Sequence, residues 1–221
     1  MTQAIDACAQ SIARFGESQI GDAAKLFYGQ DCVTAVLVDG GETMSGCVLS
    51  GMVTSMFGSA LSHPVAVDEA VATVAGMLPV SGGREPVLLT VAQMRADGAA
   101  YLARLAMPQA VFLRRGRVLP LVFTPRRCGP VVLEEARLQL KSRDTLVCFG
   151  HGVARAGEGV PYAAGWENVL LPAYLQAAYT PSVPAGKLVE LLLGISCSLC
   201  GEKPRSDLSA AVLRYRAVRE G

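Results

Sequence analysis

Three polar groups in this 221-residue chain stand where they could do chemistry. Gly21-Asp22 and Asp39-Gly40 each place a carboxylate beside a glycine, 17 positions apart, and His151, one of only two histidines, lies between Gly150 and Gly152. Acids at strand ends are candidate ligands for magnesium or manganese, which prefer hard oxygens converging from different elements. If the strands that carry Asp22 and Asp39 are antiparallel neighbours, the two carboxylates meet. A glycine beside each lets backbone approach an ion closely. Asp-Gly is equally an ordinary turn that needs no metal. His151 has three readings: ligand to a softer ion, hydrogen-bonding or ligand-contact group, or structural residue.

Other reactive residue types point elsewhere. Cys197 and Cys200 form a CxxC, but no second pair stands at zinc spacing and no thioredoxin-like context surrounds it, so a buried helix end is expected. His63 before Pro64 reads as a loop residue. Arg126-Arg127 reads as a solvated turn, with phosphate contact as the alternative. No GxSxG, P-loop or dinucleotide fingerprint occurs.

The elements that must carry these residues follow from pattern. In FYGQDCVTAVLVDGG, Cys32 to Val38 is an apolar, β-branched strand stopped by Asp-Gly. SGCVLSGMVTSMFGSALS is small and apolar on nearly every side, which predicts a buried helix. DEAVATVAGMLP predicts a second helix with Asp68 as N-cap and Pro79 as the stop. From Glu85 to Leu140, short apolar runs separated by Asp97-Gly98 and Arg115-Gly116 predict an antiparallel meander. RLQLKSRDTLVCFG reads as a further hairpin, ENVLLPAYLQAAY and AGKLVELLLGISCSL as helices, and SDLSAAVLRYRAV as a closing strand. Strand, two helices, a run of antiparallel strands, then helices and strand make an α+β layered arrangement over residues 1–221 as one domain.

Composition excludes some functions. Lys plus Arg number 20 and Asp plus Glu 19, so no global field recruits nucleic acid or an anionic membrane. Half the residues are apolar, yet no run reaches the roughly 18 needed to span a bilayer. The start, MTQAIDACAQSIARFGES, lacks a basic n-region followed by an apolar block. Seven cysteines, an odd number, fit a reducing compartment better than a disulfide framework. A cytoplasmic protein is expected.

Taken in order, the motifs resemble the stage II sporulation E branch of the metal-dependent (PPM) protein serine/threonine phosphatases, over nearly the whole chain. FGESQIGDAA is similar to that family's GD strand, TAVLVDG to its DG strand and MPQAVFLRRGRVLPL to its middle meander. RDTLVCFGHGVARAGEG falls where the family has GD-x-L-V-x-x-SDG-V-x-x-AG, and KPRSDLSAAVLRYR where it has a DD-x-T-V strand. Trp166 matches a Gly-Trp of related short phosphatases, which implies an anchor between a helix and the sheet. The resemblance implies a layered α-β-β-α sandwich with a binuclear manganese or magnesium site between the sheets. There, a metal-bridging water attacks phosphoserine or phosphothreonine in line.

Residue by residue, the resemblance assigns Asp22 to the GD acid, Asp39 to the central bridging acid and Gly40 to the carbonyl ligand, with Asp22 and Asp39 catalytic. His151 stands at the position of the SDG acid. Ser206 stands at the first Asp of the final pair, with Asp207 at the second; a one-residue step along a strand turns a side chain to the opposite face. DGGETMSG departs from the family's glycine-rich turn through Glu42, Thr43 and Met44. Exchanging two carboxylates for an imidazole and a hydroxyl removes about two negative charges facing a second ion, and hard ions bind imidazole poorly. The expectation is one weak manganese or magnesium site, or none. Asp22, Asp39, Gly40, His151 and Asp207 are its candidate ligands.

Three functions remain open at this point. The chain is a phosphatase acting on a phosphorylated regulatory protein such as an anti-sigma-factor antagonist, a pseudophosphatase that keeps a partner surface, or a small-ligand or metal-sensing module using the remnant cleft.

Overall fold

The computed structural model describes residues 4–41, 44–78, 87–159 and 166–217. In chain order its elements are β1 (Ile5–Ile12), β2 (Ala23–Tyr28), β3 (Cys32–Asp39), α1 (Met44–Leu61), α2 (Val67–Met77), β4 (Leu88–Arg95), β5 (Ala99–Leu105), β6 (Val111–Arg114), β7 (Arg117–Leu119), β8 (Thr124–Cys128), β9 (Val131–Gln139), β10 (Thr145–Phe149), α3 (His151–Ala154), a π-helical turn (Trp166–Leu170), α4 (Leu171–Ala178), α5 (Ala185–Leu199) and β11 (Leu208–Tyr215). One sheet runs β1-β11-β10-β6-β7 and the other β2-β3-β4-β5-β9-β8. Their strand ladders are antiparallel.

Strand periodicity sorts side chains into layers. On β3, Ala35 and Leu37 face the other sheet, packing with Met94 and Leu102 of their own sheet and Phe112, Leu146 and Leu213 of the facing one. Val36 and Val38 face outward and pack with Val53, Phe57, Val71 and Val74 of α1 and α2. On β11, Ala210 and Val212 pack outward beneath Leu188, Leu192 and Leu193 of α5. Both central strands are covered on two faces, which is why they read as near-continuous apolar runs. The architecture is the α+β sandwich with helices outside two sheets. Among the described residues no helix is long and apolar enough to cross a membrane.

Several local expectations are revised. Helix α1 is not buried on nearly every side: Ser50, Val53, Thr54 and Phe57 are buried, whereas Val48 and Met52 are 62% and 55% exposed. An outer-layer helix has only one face to give to a sheet. Ala66, not Asp68, is the N-cap of α2, and the Asp68 carboxylate accepts a hydrogen bond from Arg137 of β9 at 2.7 Å. Pro79, Glu42, Thr43 and Glu85 lie outside the described residues.

Asp97-Gly98 and Arg115-Gly116 do form hairpin turns, yet the meander is split, because β6 and β7 leave the six-stranded sheet for the other. Strands β9 and β10 likewise belong to different sheets and are not a hairpin. The crossing between them is pinned by buried Asp144, which accepts hydrogen bonds from Lys141 N at 2.8 Å and from Arg114. Arg126-Arg127 is part of edge strand β8 rather than a turn, and Arg126 is paired with Glu135 at 3.2 Å. Trp166 is buried among residues of α3, α4 and the five-stranded sheet, and its Nε1 donates to the Val153 carbonyl at 2.8 Å.

Candidate metal centre

The β2–β3 ladder builds one side of the cleft. Ala23 pairs with Val38, so the same register places Asp22 opposite Asp39 at the ladder's end. Hydrogen-bond register thus joins two acids 17 positions apart. Gly41 N donates to Asp39 Oδ1 at 3.0 Å, fixing that carboxylate from its own turn.

The other side comes from β10 and β11. Gly150 N donates to the Ser209 carbonyl at 2.9 Å, and Ser209 Oγ donates to Asp22 Oδ2 at 2.8 Å. His151, at the start of α3, places Nδ1 3.2 Å from Asp39 Oδ2. The glycines around it have a steric reason. A Cβ on Gly150 would overlap Ser209 Oγ and lie 3.1 Å from Asp22 Oδ2, and one on Gly152 would overlap the Asp207 carbonyl. On the opposite wall, a Cβ on Gly21 would overlap the Gly41 carbonyl, and Gly40 and Gly46 face each other just as closely. The Gly40 carbonyl lies against Gly46 in the first turn of α1.

Asp207 is placed differently. Its Oδ2 accepts hydrogen bonds from Gly21 N at 2.5 Å and Asp22 N at 3.2 Å, and its Oδ1 from Arg14 N at 2.8 Å. Three backbone donors engage both oxygens of this carboxylate and secure the segment that delivers Asp22. Ser209, two residues on, shares its strand face by period-2 geometry. The pattern SDLS contained that signal; the Ser209–Asp22 contact itself depends on how the sheets meet.

The electrostatics reflect two acids forced together. Burial pushes Asp22 up to about 8, the neighbouring Asp39 charge adds to the rise, and the Ser209 hydrogen bond opposes it. For Asp39, burial acts upward too, but hydrogen bonds from His151 and Gly41 and the imidazole's charge outweigh it and hold the group below the ordinary carboxylate range. A proton retained between two carboxylates marks a place where a cation relieves the same repulsion.

Tested against a metal, the donors suit one ion and not two. Magnesium is commonly held by one or two carboxylates with water completing the shell, and Asp22 and Asp39 offer such a pair. Among the described residues no three His, Cys, Asp or Glu side chains converge as a ligand group. His151 lies on Asp39, the Asp207 oxygens are occupied by N–H donors, and Ser206 offers a hydroxyl where the resemblance would place an acid.

No family model matches the chain, and no curated protein matches it either. Solved structures do. The PP2C phosphatase domain with a fragment of the regulatory domain of the cell fate determinant SpoIIE from Bacillus subtilis aligns with TM-score 0.82 and 16% identity, over 97% of this chain and 63% of that one. The present chain therefore spans less than two thirds of that protein's structure. The SpoIIE phosphatase domain in a crystal form without domain swapping aligns with TM-score 0.72 and 15% identity, over 98% and 95% of the two chains. RsbX in complex with magnesium gives TM-score 0.69 and 10% identity, with 97% of each chain covered. The fold is that of the PP2C phosphatase domains, reached here with a cleft that holds two acids of the expected set.

Proposed function

We propose that this chain is a single PPM-type protein serine/threonine phosphatase domain of the cytoplasm that engages a phosphorylated regulatory protein, holds one divalent cation, and is impaired in two-metal hydrolysis. The observation that carries the reading is the Asp22–Asp39 juxtaposition across the β2–β3 ladder within this fold. Asp22 and Asp39 would hold manganese or magnesium; the RsbX structure with magnesium supports the choice of ion. A cation bound there would supply Lewis-acid stabilisation of a phosphoryl oxygen. Ser209 orients Asp22, His151 occupies one oxygen of Asp39, and Asp207 fixes the backbone ahead of Asp22. Seven cysteines without disulfides support a reducing compartment. The RsbU and RsbW domains of a Mycobacterium tuberculosis protein, similar at TM-score 0.76 and 16% identity over 96% of this chain and 62% of that one, support a regulatory partner such as an anti-sigma-factor antagonist.

The pseudophosphatase reading has its own support, since His151 and Ser206 occupy the positions of two expected acids and Asp207 is engaged elsewhere. Hydrolysis of a generic phosphate ester with added manganese separates the two readings. Low turnover that rises in the His151→Asp/Ser206→Asp variant supports impaired catalysis; turnover absent in both proteins supports the pseudoenzyme. Substantial manganese-dependent turnover in the unaltered protein, lost in Asp39→Asn, would sink the impairment.

A further inference from the structure

The end of the five-stranded sheet remote from the cleft carries a group of cations. The ladders end at Thr145, which pairs with Leu113 of β6 and with Arg214 of β11; Arg143, Arg115 and Arg216 lie just beyond those pairs at the same end of the sheet. Arg143 N donates to the Tyr215 carbonyl at 2.7 Å and Tyr215 N to the Asp144 carbonyl at 2.9 Å, so Arg143 and Asp144 together oppose Tyr215 in a bulge. Arg117 of β7 pairs with Arg114. Arg115, Arg117, Arg143 and Arg216 thus gather at one end of β6, β7, β10 and β11. Lys141 adds to the group from the β9–β10 crossing.

Little of this charge is neutralised. Asp144 is taken by Arg114 and Asp6 by Arg216, at 2.6 and 2.7 Å. Arg115, Arg117, Lys141 and Arg143 are exposed and have no ion pair among the described residues. Beneath them Arg214 is 1% exposed. It stacks 5.1 Å from the Tyr179 ring, donates to Thr145 Oγ1 at 3.0 Å and to the Val183 carbonyl, and leaves Nη2 without a hydrogen-bond partner. Among the described residues, the other carboxylates near this pole, Asp31 and Asp97, sit on turns of the six-stranded sheet, and Asp97 is bonded to Arg95. In a chain of net charge +1, this concentration is local.

The backbone supplies a second observation. Arg115 and Arg143 have φ of 52° and 73°, left-handed conformations that glycine, asparagine or aspartate adopt at lower cost. Arginine stands at both, on facing turns buttressed by one side chain: Tyr179 OH donates to the Arg143 carbonyl at 2.9 Å, and its ring packs on Gly116. Strain kept at two cationic positions points to a use for the cations.

We propose that this end of the sheet docks an acidic segment of a partner protein, a function independent of whether the cleft turns over. Arginine forks recognise carboxylates bidentately, and all but one of the exposed cations are arginine. The ring that could stack on a base, Tyr179, is buried, as are Leu113 and Tyr215, so neither bases nor lipid find an apolar platform here.

The test uses the whole protein and a fluorescein-labelled oligoglutamate peptide, with anisotropy read at about 50 mM and about 200 mM salt. Arg115→Asn/Arg143→Asn suits the left-handed backbone and should fold at least as well. Binding that weakens with salt, and about tenfold further in this variant, supports the proposal. A charge-matched control, Arg127→Ser/Arg205→Ser, should bind as the unaltered protein does. Absence of binding, equal loss in the control, or tighter binding to a single-stranded oligonucleotide or to phosphatidylserine vesicles overturns it.

Discussion

The two walls of the cleft differ in what they offer. The β2–β3 wall keeps Asp22 and Asp39 as acids facing each other, and burial leaves them competing for a proton. The β10–β11 wall presents glycines with no room for a side chain and offers His151 and Ser209 to the acids rather than carboxylates. The difference teaches that the shape of a cleft and its charge are separable. Close packing preserves the first, and only the ligand residue types set the second.

Among the substitutions, the largest expected effect tests the shape. Gly152→Ala drives a methyl into the Asp207 carbonyl and should cost about 3 kcal/mol, read as a lowered urea midpoint. A neutral result would mean that α3 can move away from β11 and that the wall is not rigid. Next comes the charge. Asp39→Asn should weaken manganese binding about 100-fold by calorimetry, a loss of about 2.7 kcal/mol. Ser209→Ala, which removes only a hydrogen bond to Asp22, should weaken it about tenfold. Equal losses would mean that Ser209 is itself a ligand.

A separate test, on pH rather than substitution, concerns protons in metal-free protein. Unfolded, Asp22 titrates near 3.8; folded, it keeps its proton to about 8. Between these values the folded state binds more protons, so stability falls as pH rises from about 4 to about 8. Asp39 works the other way, its contribution being lost only as pH falls through a folded value below the ordinary one. Urea midpoints across this range, with chelator present, should decline in the unaltered protein and flatten in Asp22→Asn. Identical slopes would show that Asp22 is ionised and that the two acids are uncoupled.

Much of this was legible in the chain itself. The strand ending at Asp39, α5 over AGKLVELLLGISCSL and the closing strand β11 follow from periodicity and turn residues, because local pattern and burial agree there. The split meander did not follow: both sheets use the same alternation, so nothing local says which one β6 or β10 joins. The outward face of α1 was misjudged for a related reason. An uncharged surface reads as buried whether or not a neighbour covers it.

At the cleft the division is finer. Sequence alone determined which residue types were available: two acids beside glycines, a histidine between glycines, and no acid at two expected positions. Only the tertiary structure decided that His151 rests on Asp39, that Asp207 spends both oxygens on the backbone of residues 14, 21 and 22, and that Gly150 and Gly152 are demanded by β11. Those outcomes join segments up to 193 positions apart, and a contact of that range is set by how two sheets close on each other rather than by any local preference of the chain.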